Sequence, residues 1–415
     1  MSSSSTVAKH HDWFASEIDR LAGGLPPDTE ADVKRMLEHA RQHAAGMIEH
    51  PLSRQGTNDP RAERDAAIVA SAHVAASAEV GDASATPRGP AAHDSWYRRA
   101  VDWLLEHSRL GTGRYEDFDA RWLSALAHRL RATPVAFPSR TPEVINIPDR
   151  VSIAIAGDWG TGLPESDLVG AQMARVRPDY MIHLGDVYYA GTPEEERRFV
   201  ARWPGEPRRS LTLNSNHEMY GGGEGYFQVA LTDPKFALQG GLSYFALRNQ
   251  HFVIIGLDSA YHATTFLYDQ GKLDDAQLEF LRQLVADAGD RKVILLTHHN
   301  GLGFDDQPTP LWSQVVSVVN RPMLWVWGHL HAAMAHRPRQ GISGRCVGHG
   351  GIPYSPFTPD ERRPYLWAED ELAHDAREPG RALNGFYLLD LDGTKLTEQF
   401  IDERGEQRWS ADGPA

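Results

Sequence analysis

The sequence predicts a layered α/β domain preceded by an all-helical section. Three observations carry this reading. From residue 150 onward, short apolar runs alternate with amphipathic helical stretches; residues 1 to about 131 show helical periodicity and no convincing strand; and a proline-rich stretch separates the two. Strands alternating with helices build sheets packed between helical layers.

In the first section, "TEADVKRMLEHARQHAAGMI", "RAERDAAIVASAHVAASA", "DSWYRRAVDWLLEHS" and "DFDARWLSALAHRLRA" each repeat apolar residues every three or four positions. "GDASATPRGPAA" has linker composition, and "ATPVAFPSRTPEVINIPDR", with four prolines, sets the boundary near 145. The expected division is a helical section and linker over 1–145 and an α/β domain over 146–405. His39, His43 and His50 sit on Ala-rich helical faces and receive no ligand role.

The second section reads in order as "VSIAIAG", "SDLVGAQMARV", "YMIHLG", "PEEERRFVARW", "SLTLNSN", "HFVIIGLDS", a helix from about Asp274 to Ala288, "KVILLTH", a weaker helix near 311 to 319, and "PMLWVWGH". Asp274 and Gln277 have capping-box spacing, and Leu278, Leu281, Leu284 and Val285 form the apolar stripe of that helix. "FYLLDLDGTKLTEQFI" reads as a hairpin turned at Asp392-Gly393, where glycine permits the positive backbone angles of a primed turn.

Composition limits the partners. The 415 residues carry a formal charge of -14, which argues against DNA or RNA, since such binding is driven by basic surface. One cysteine, Cys346, excludes thiolate metal clusters and intrachain disulfides. The start "MSSSSTVAKHHDWF" lacks a signal-peptide core, and no run reaches the roughly 20 apolar residues of a membrane span. A cytoplasmic protein with a small-molecule substrate is expected; the oligomeric state is not legible.

In α/β sheets, functional groups collect beyond the carboxyl ends of strands, where the chain leaves the ladder and opens a crevice. Five predicted strands end in polar residues: Asp158 in "GDWG", Asp186 and Tyr189 in "GDVYY", Asn216 and His217 in "SNHE", His298 and His299 in "LTHH", His329 and His331 in "GHLH". Singly each is an ordinary turn; five in register are hard to produce by packing alone. Two carboxylates, a phenol, a carboxamide and three imidazoles, with His217 and His299 in reserve, exceed the roughly four ligands of one zinc. Two ions about 3.5 to 4 Å apart, sharing a carboxylate, fit better.

This order, Gly-Asp-x-Gly, Gly-Asp-x-x-Tyr, Asn-His-Glu, x-x-His and Gly-His-x-His, resembles the calcineurin-like metallophosphoesterase superfamily over about residues 150 to 403. Gly160 stands where most members have histidine, and Tyr189 is present, as in the purple acid phosphatases. The resemblance implies an αββα sandwich and a dinuclear hydrolase attacking phosphomonoesters with a metal-bridging hydroxide. It implies that Asp158, Asp186, Tyr189 and His331 hold the first metal, that Asp186 bridges, and that Asn216, His298 and His329 hold the second. A phenol with a pKa of about 10 needs a strongly Lewis-acidic ion, which favours Fe(III) at the first site. Neutral donors suit Zn, Mn or Fe(II) at the second. His217 would contact the phosphoryl group or protonate the leaving alkoxide.

Three departures stand out. Ser215 replaces the family's glycine before Asn-His, and no histidine lies between His299 and His329 to bind substrate. Asp305 and Asp306 occupy that loop instead, and His299 or His262 are the candidates to compensate. "MYGGGEGYF" reads as a flexible rim of the pocket, since it lacks the strand and helix setting of a nucleotide loop. Two alternatives stay open: a phosphodiesterase on the same metals, acting for example on a cyclic nucleotide, and a partner-binding protein whose N-terminal helices carry the main role.

Overall fold

The computed structural model describes Arg129 and residues 132–413, apart from 266–267 and 376–379. The predicted helices before residue 129, with His39, His43 and His50, lie outside the described residues.

The strands are β1 (Val144–Asn146), β2 (Arg150–Ala156), β3 (Tyr180–His183), β4 (Ser210–Thr212), β5 (Phe245–Arg248), β6 (Phe252–Leu257) and β7 (Lys292–Thr297). They continue with β8 (Met323–Trp327), β9 (Ala333–His336), β10 (Ile342–Val347), β11 (Tyr365–Ala368), β12 (Gly385–Asp392), β13 (Lys395–Asp402) and β14 (Gln407–Asp412). The α-helices are α1 (Pro164–Val176), α2 (Pro193–Arg202), α3 (Asn216–Tyr220), α4 (Glu224–Gln228), α5 (Asp275–Ala286) and α6 (Pro310–Val318).

Two mixed sheets result, ordered β1-β5-β6-β7-β8-β10-β9-β11 and β14-β13-β12-β2-β3-β4. Alternation along the strands explains their stacking. Ile153 and Ile155 of β2 face Ile254 of β6 and Leu324 of β8 in the core between the sheets. Ala154 and Ala156 face the other way, onto Val169 and Met173 of α1 and Phe199 of α2. On the opposite outer face Leu281 and Leu284 of α5 and Leu311 and Val315 of α6 cover Val253, Ile255 and Leu295. Helix, sheet, sheet and helix thus form the expected four layers, and strands buried on both faces account for their continuous apolar runs.

Several details differ from expectation. Asp274 caps α5 by accepting from the Gln277 backbone, but the Gln277 side chain does not reach back. It clasps the Asp258 backbone instead, accepting its N–H at 2.8 Å and donating to its carbonyl at 2.9 Å. The expected boundary between 145 and 146 cuts through β1, which pairs with β5, and β14 lies past the expected end at 405. The hairpin forms with Asp392 opposite Lys395 and Gly393 at φ 58, so the turn is one residue later than the Asp392-Gly393 reading. Among the described residues, no helix is long and apolar enough to cross a membrane.

His349, in the loop after β10, packs against Phe400, and burial pushes its pKa down to about 3 from an ordinary 6.5. The unfolded chain takes up this proton below pH 6.5 and the folded protein does not, so stability falls as pH drops from 6.5 toward 3. Urea melts should show His349→Phe losing about 2 kcal/mol less stability than the parent between about pH 7 and pH 5.

Candidate metal centre

The carboxyl ends of β2, β3 and β4 in one sheet and of β7 and β8 in the other converge on one place. β2 leads into Gly157 and Asp158, β3 into Gly185 and Asp186, and β4 into Ser215, which caps α3 and presents Asn216 and His217. β7 runs into His298 and His299, and β8 into Gly328, His329 and His331. Asp158, Asp186 and His329 adopt positive φ values of 59, 74 and 65. Such left-handed backbone costs a non-glycine residue of order 1 to 3 kcal/mol and persists where the surroundings enforce it.

One group of donors surrounds Asp158. The Tyr188 hydroxyl lies 2.9 Å from Asp186 Oδ2, 2.9 Å from His331 Nε2 and 3.4 Å from Asp158 Oδ1. His331 Nε2 is also 3.4 Å from Asp158 Oδ1, and Asp158 Oδ2 accepts the His329 N–H at 3.0 Å. The phenol here is that of Tyr188, where Tyr189 was expected. Tyr189 is engaged through its backbone, its N–H donating to Glu195 and its carbonyl accepting from His217 Nδ1 at 2.8 Å. Glu195 also accepts the Ala190 N–H and closes a reciprocal capping box with Thr192, so α2 anchors this loop and swings Tyr188 inward.

A second group surrounds Asn216. Its Oδ1 lies 2.7 Å from His298 Nε2 and 3.1 Å from His329 Nδ1, while its amide donates to the Tyr220 hydroxyl. His298 Nε2 is 3.2 Å from Asp186 Oδ1. His298 Nδ1 lies 2.9 Å from the Leu184 carbonyl, which can only accept, so Nδ1 carries the proton and Nε2 a lone pair. Burial pushes His298 down to about 3, so the ring stays neutral. Lone pairs of Asn216, His298 and Asp186 therefore face one another out of water, an arrangement that needs a cation between them. Donors about 2.1 Å from an ion stand about 3.0 to 3.4 Å apart, close to the spacings in both groups. The donors fit metal ions.

The two groups also differ in charge. Burial, then the charge of Asp186, raises Asp158 to about 7. Burial opposes ionisation of Asp186 as well, but the neighbouring imidazoles, His217 foremost, outweigh it when they carry a proton and hold that carboxyl well below the usual range.

Residues 151–333 match the family model of the calcineurin-like phosphoesterases. Among solved structures, the chain is similar to GAP50, the anchor in the inner membrane complex of Plasmodium, at 12% identity and a TM-score of 0.48, covering 63% of this chain and 88% of that one. It is similar to a dimetal phosphatase from Danio rerio at 12% identity and a TM-score of 0.43, covering 63% and 98%. It is also similar to PhoD at 11% identity and a TM-score of 0.42, covering 66% and 70%. No curated protein matches.

Within the matched residues, the remaining candidates separate. His217 is buried between Tyr188 and Tyr220 with Nε2 3.7 Å from Asp186 Oδ2, at the centre. His299 meets the Ser259 hydroxyl with Nδ1 at 2.9 Å and the Tyr268 carbonyl with Nε2 at 2.6 Å, and one of its ring nitrogens lies within 4.8 Å of ligand atoms of His298 and His329. His262 lies against Phe137 and Tyr261 and faces Asp274. Asp305 accepts from the Gln307 backbone and Asp306 from His336, so neither is directed at the centre. The glycines after α3 turn the chain, held where Val135 N–H donates to Gly222. Sequence reasoning missed Tyr188 and Glu218; the first tyrosine in "GDVYY" and the acid in "SNHE" were the available signals.

Chelator-stripped protein should gain stability on metal addition. At about 100 times Kd one ion contributes about 2.7 kcal/mol, raising Tm by about 5 °C for a domain of this size. Calorimetry should show the gain in the parent and its loss in Asp186→Ala.

Proposed function

We propose that this domain hydrolyses small phosphomonoesters with two metal ions, one held by Asp158, Asp186, Tyr188 and His331 and the other by Asp186, Asn216, His298 and His329. One observation carries the reading: Asp186 turns Oδ1 to His298 and Oδ2 to Tyr188, so a single carboxylate spans both donor groups. Bound there, such ions supply a nucleophile derived from water and positive charge for the phosphoryl oxygens. A phenol among oxygen donors favours Fe(III) in the first group, as in purple acid phosphatases, and neutral donors favour Zn, Mn or Fe(II) in the second.

The chain itself orients and moves protons. The Leu184 carbonyl fixes which nitrogen His298 presents, and the Asn216 amide nitrogen donates to the Tyr220 hydroxyl with its oxygen toward His298 and His329. His217 is held at Nδ1 by the Tyr189 carbonyl, which leaves its Nε2 edge toward Asp186. It can serve as acid for the departing alkoxide only when Nε2 is protonated as well, a state that burial opposes and the Asp186 carboxylate favours. With Asp305 and Asp306 engaged elsewhere, the loop after His299 does not repel a dianionic phosphate. The net charge of -14 suits a small ester better than a nucleic-acid polymer.

Purified enzyme should turn over a nitrophenyl phosphate monoester faster than the corresponding diester, and the reverse preference would sink the monoester assignment. His217→Ala should lower kcat on an alkyl phosphate by about 10² to 10⁴ and less on nitrophenyl phosphate, whose leaving group departs without a proton. With Fe(III) in the first group, the protein should show a visible tyrosinate band. Tyr188→Phe should abolish that band and Tyr189→Phe should keep it; the opposite result restores Tyr189 as the ligand.

A further inference from the structure

Ser215 stands where the resembling family has glycine, and it is fully buried. Its backbone is extended and its hydroxyl oxygen accepts the His217 N–H at 3.0 Å, an ordinary N-cap for α3. The cap explains only one lone pair. The same hydroxyl is also in close contact with Asp186 Oδ1 and Glu218 Oε2, its single proton directed to Asp186 Oδ1, and Glu218 Oε2 accepts the Asp186 N–H at 3.3 Å. Ser215, Asp186 and Glu218 therefore form a closed ring of contacts behind the carboxylate that spans the two donor groups.

A second observation is steric. Gly185 has φ +98, and a Cβ there would sit 2.7 Å from Ser215 Cβ and 3.0 Å from His298 Nδ1. The Ser215 side chain fills the gap between the loop carrying Asp186 and the loop carrying Asn216. It spaces the loops as well as bonding one of them.

We propose that Ser215 is a positioning residue for Asp186, its hydroxyl holding Oδ1 toward His298 and Asn216 while Glu218 braces that hydroxyl from behind. The inference rests on Asp186 serving both ions. Since Oδ1 faces the Asn216 group, losing the hydroxyl loosens the second ion and spares the first. A plain helix cap, by contrast, would weaken both ions alike through general stability.

The test is metal binding by chelator-stripped protein, read by competition with a fluorescent zinc chelator, with Tm of the metal-free forms measured alongside. The parent should bind two equivalents. Ser215→Ala should weaken one of them by about 10- to 100-fold, the range found when a group supporting a metal ligand is removed, and leave the other unchanged. Ser215→Thr, which keeps the hydroxyl, should bind both within a few-fold of the parent. Equal weakening of both equivalents in Ser215→Ala, no weakening of either, or Ser215→Thr behaving like Ser215→Ala overturns the proposal. A parent that binds only one equivalent overturns the two-ion reading itself, which separates the two failures.

Discussion

Asp186 is the constraint on which the site depends. Its two oxygens face two different donor groups, so its position must be fixed in the fold rather than settled by a ligand. The strand β3 delivers it, the turn at Gly185 and the positive φ of Asp186 aim it, and Glu218 holds its N–H. Three aspartate or histidine residues of the centre sit in left-handed backbone, at a cost of order 1 to 3 kcal/mol each. The core between the sheets and the two outer cores sustain that cost, since each strand bearing a site residue is covered on both faces.

Strand alternation sorts the histidines. Consecutive residues leave β7 toward opposite sides, so His298 enters the donor group and His299 turns to Ser259 and Tyr268. His299 still matters mechanically: its ring packs 4.7 Å from His329 and limits where that imidazole can swing. His329 and His331, two residues apart, reach different groups through different nitrogens, Nδ1 toward Asn216 and Nε2 toward Tyr188 and Asp158. Adjacent histidines thus serve separate halves of the centre.

What the sequence revealed follows from where packing leaves no choice. Long apolar runs such as those of β6, β7 and β8, and the punctuated helices α1, α2 and α5, announce themselves because burial on both faces or along one stripe demands that composition. Polar residues at strand ends were legible because those positions open to the crevice. β1 has three residues and β5, β9 and β11 four, too few for a period to show. The choice between Tyr188 and Tyr189 depends on how Glu195 pins the intervening backbone, which neighbouring identical side chains cannot disclose. The direction of Gln277, Asp305 and Asp306 is likewise set by partners distant in sequence or by the local turn, and their residue types fit several arrangements.

The proline-rich stretch is also more than a connector. Val135 donates its N–H to Gly222, in the turn after α3, and accepts from the Tyr261 hydroxyl. Phe137 stacks among Tyr244, Tyr261 and His262, and the Arg129 guanidinium lies over the Tyr268 ring, whose carbonyl holds His299. The stretch therefore bridges the turn behind Asn216 and His217 to the loop that orients His299. Prolines at 134, 138, 142 and 148 restrict the unfolded chain there, which lowers the entropy lost when it docks. Support for the candidate metal centre thus begins upstream of the first strand, in residues whose composition reads as linker and whose contacts reach the loops that carry its residues.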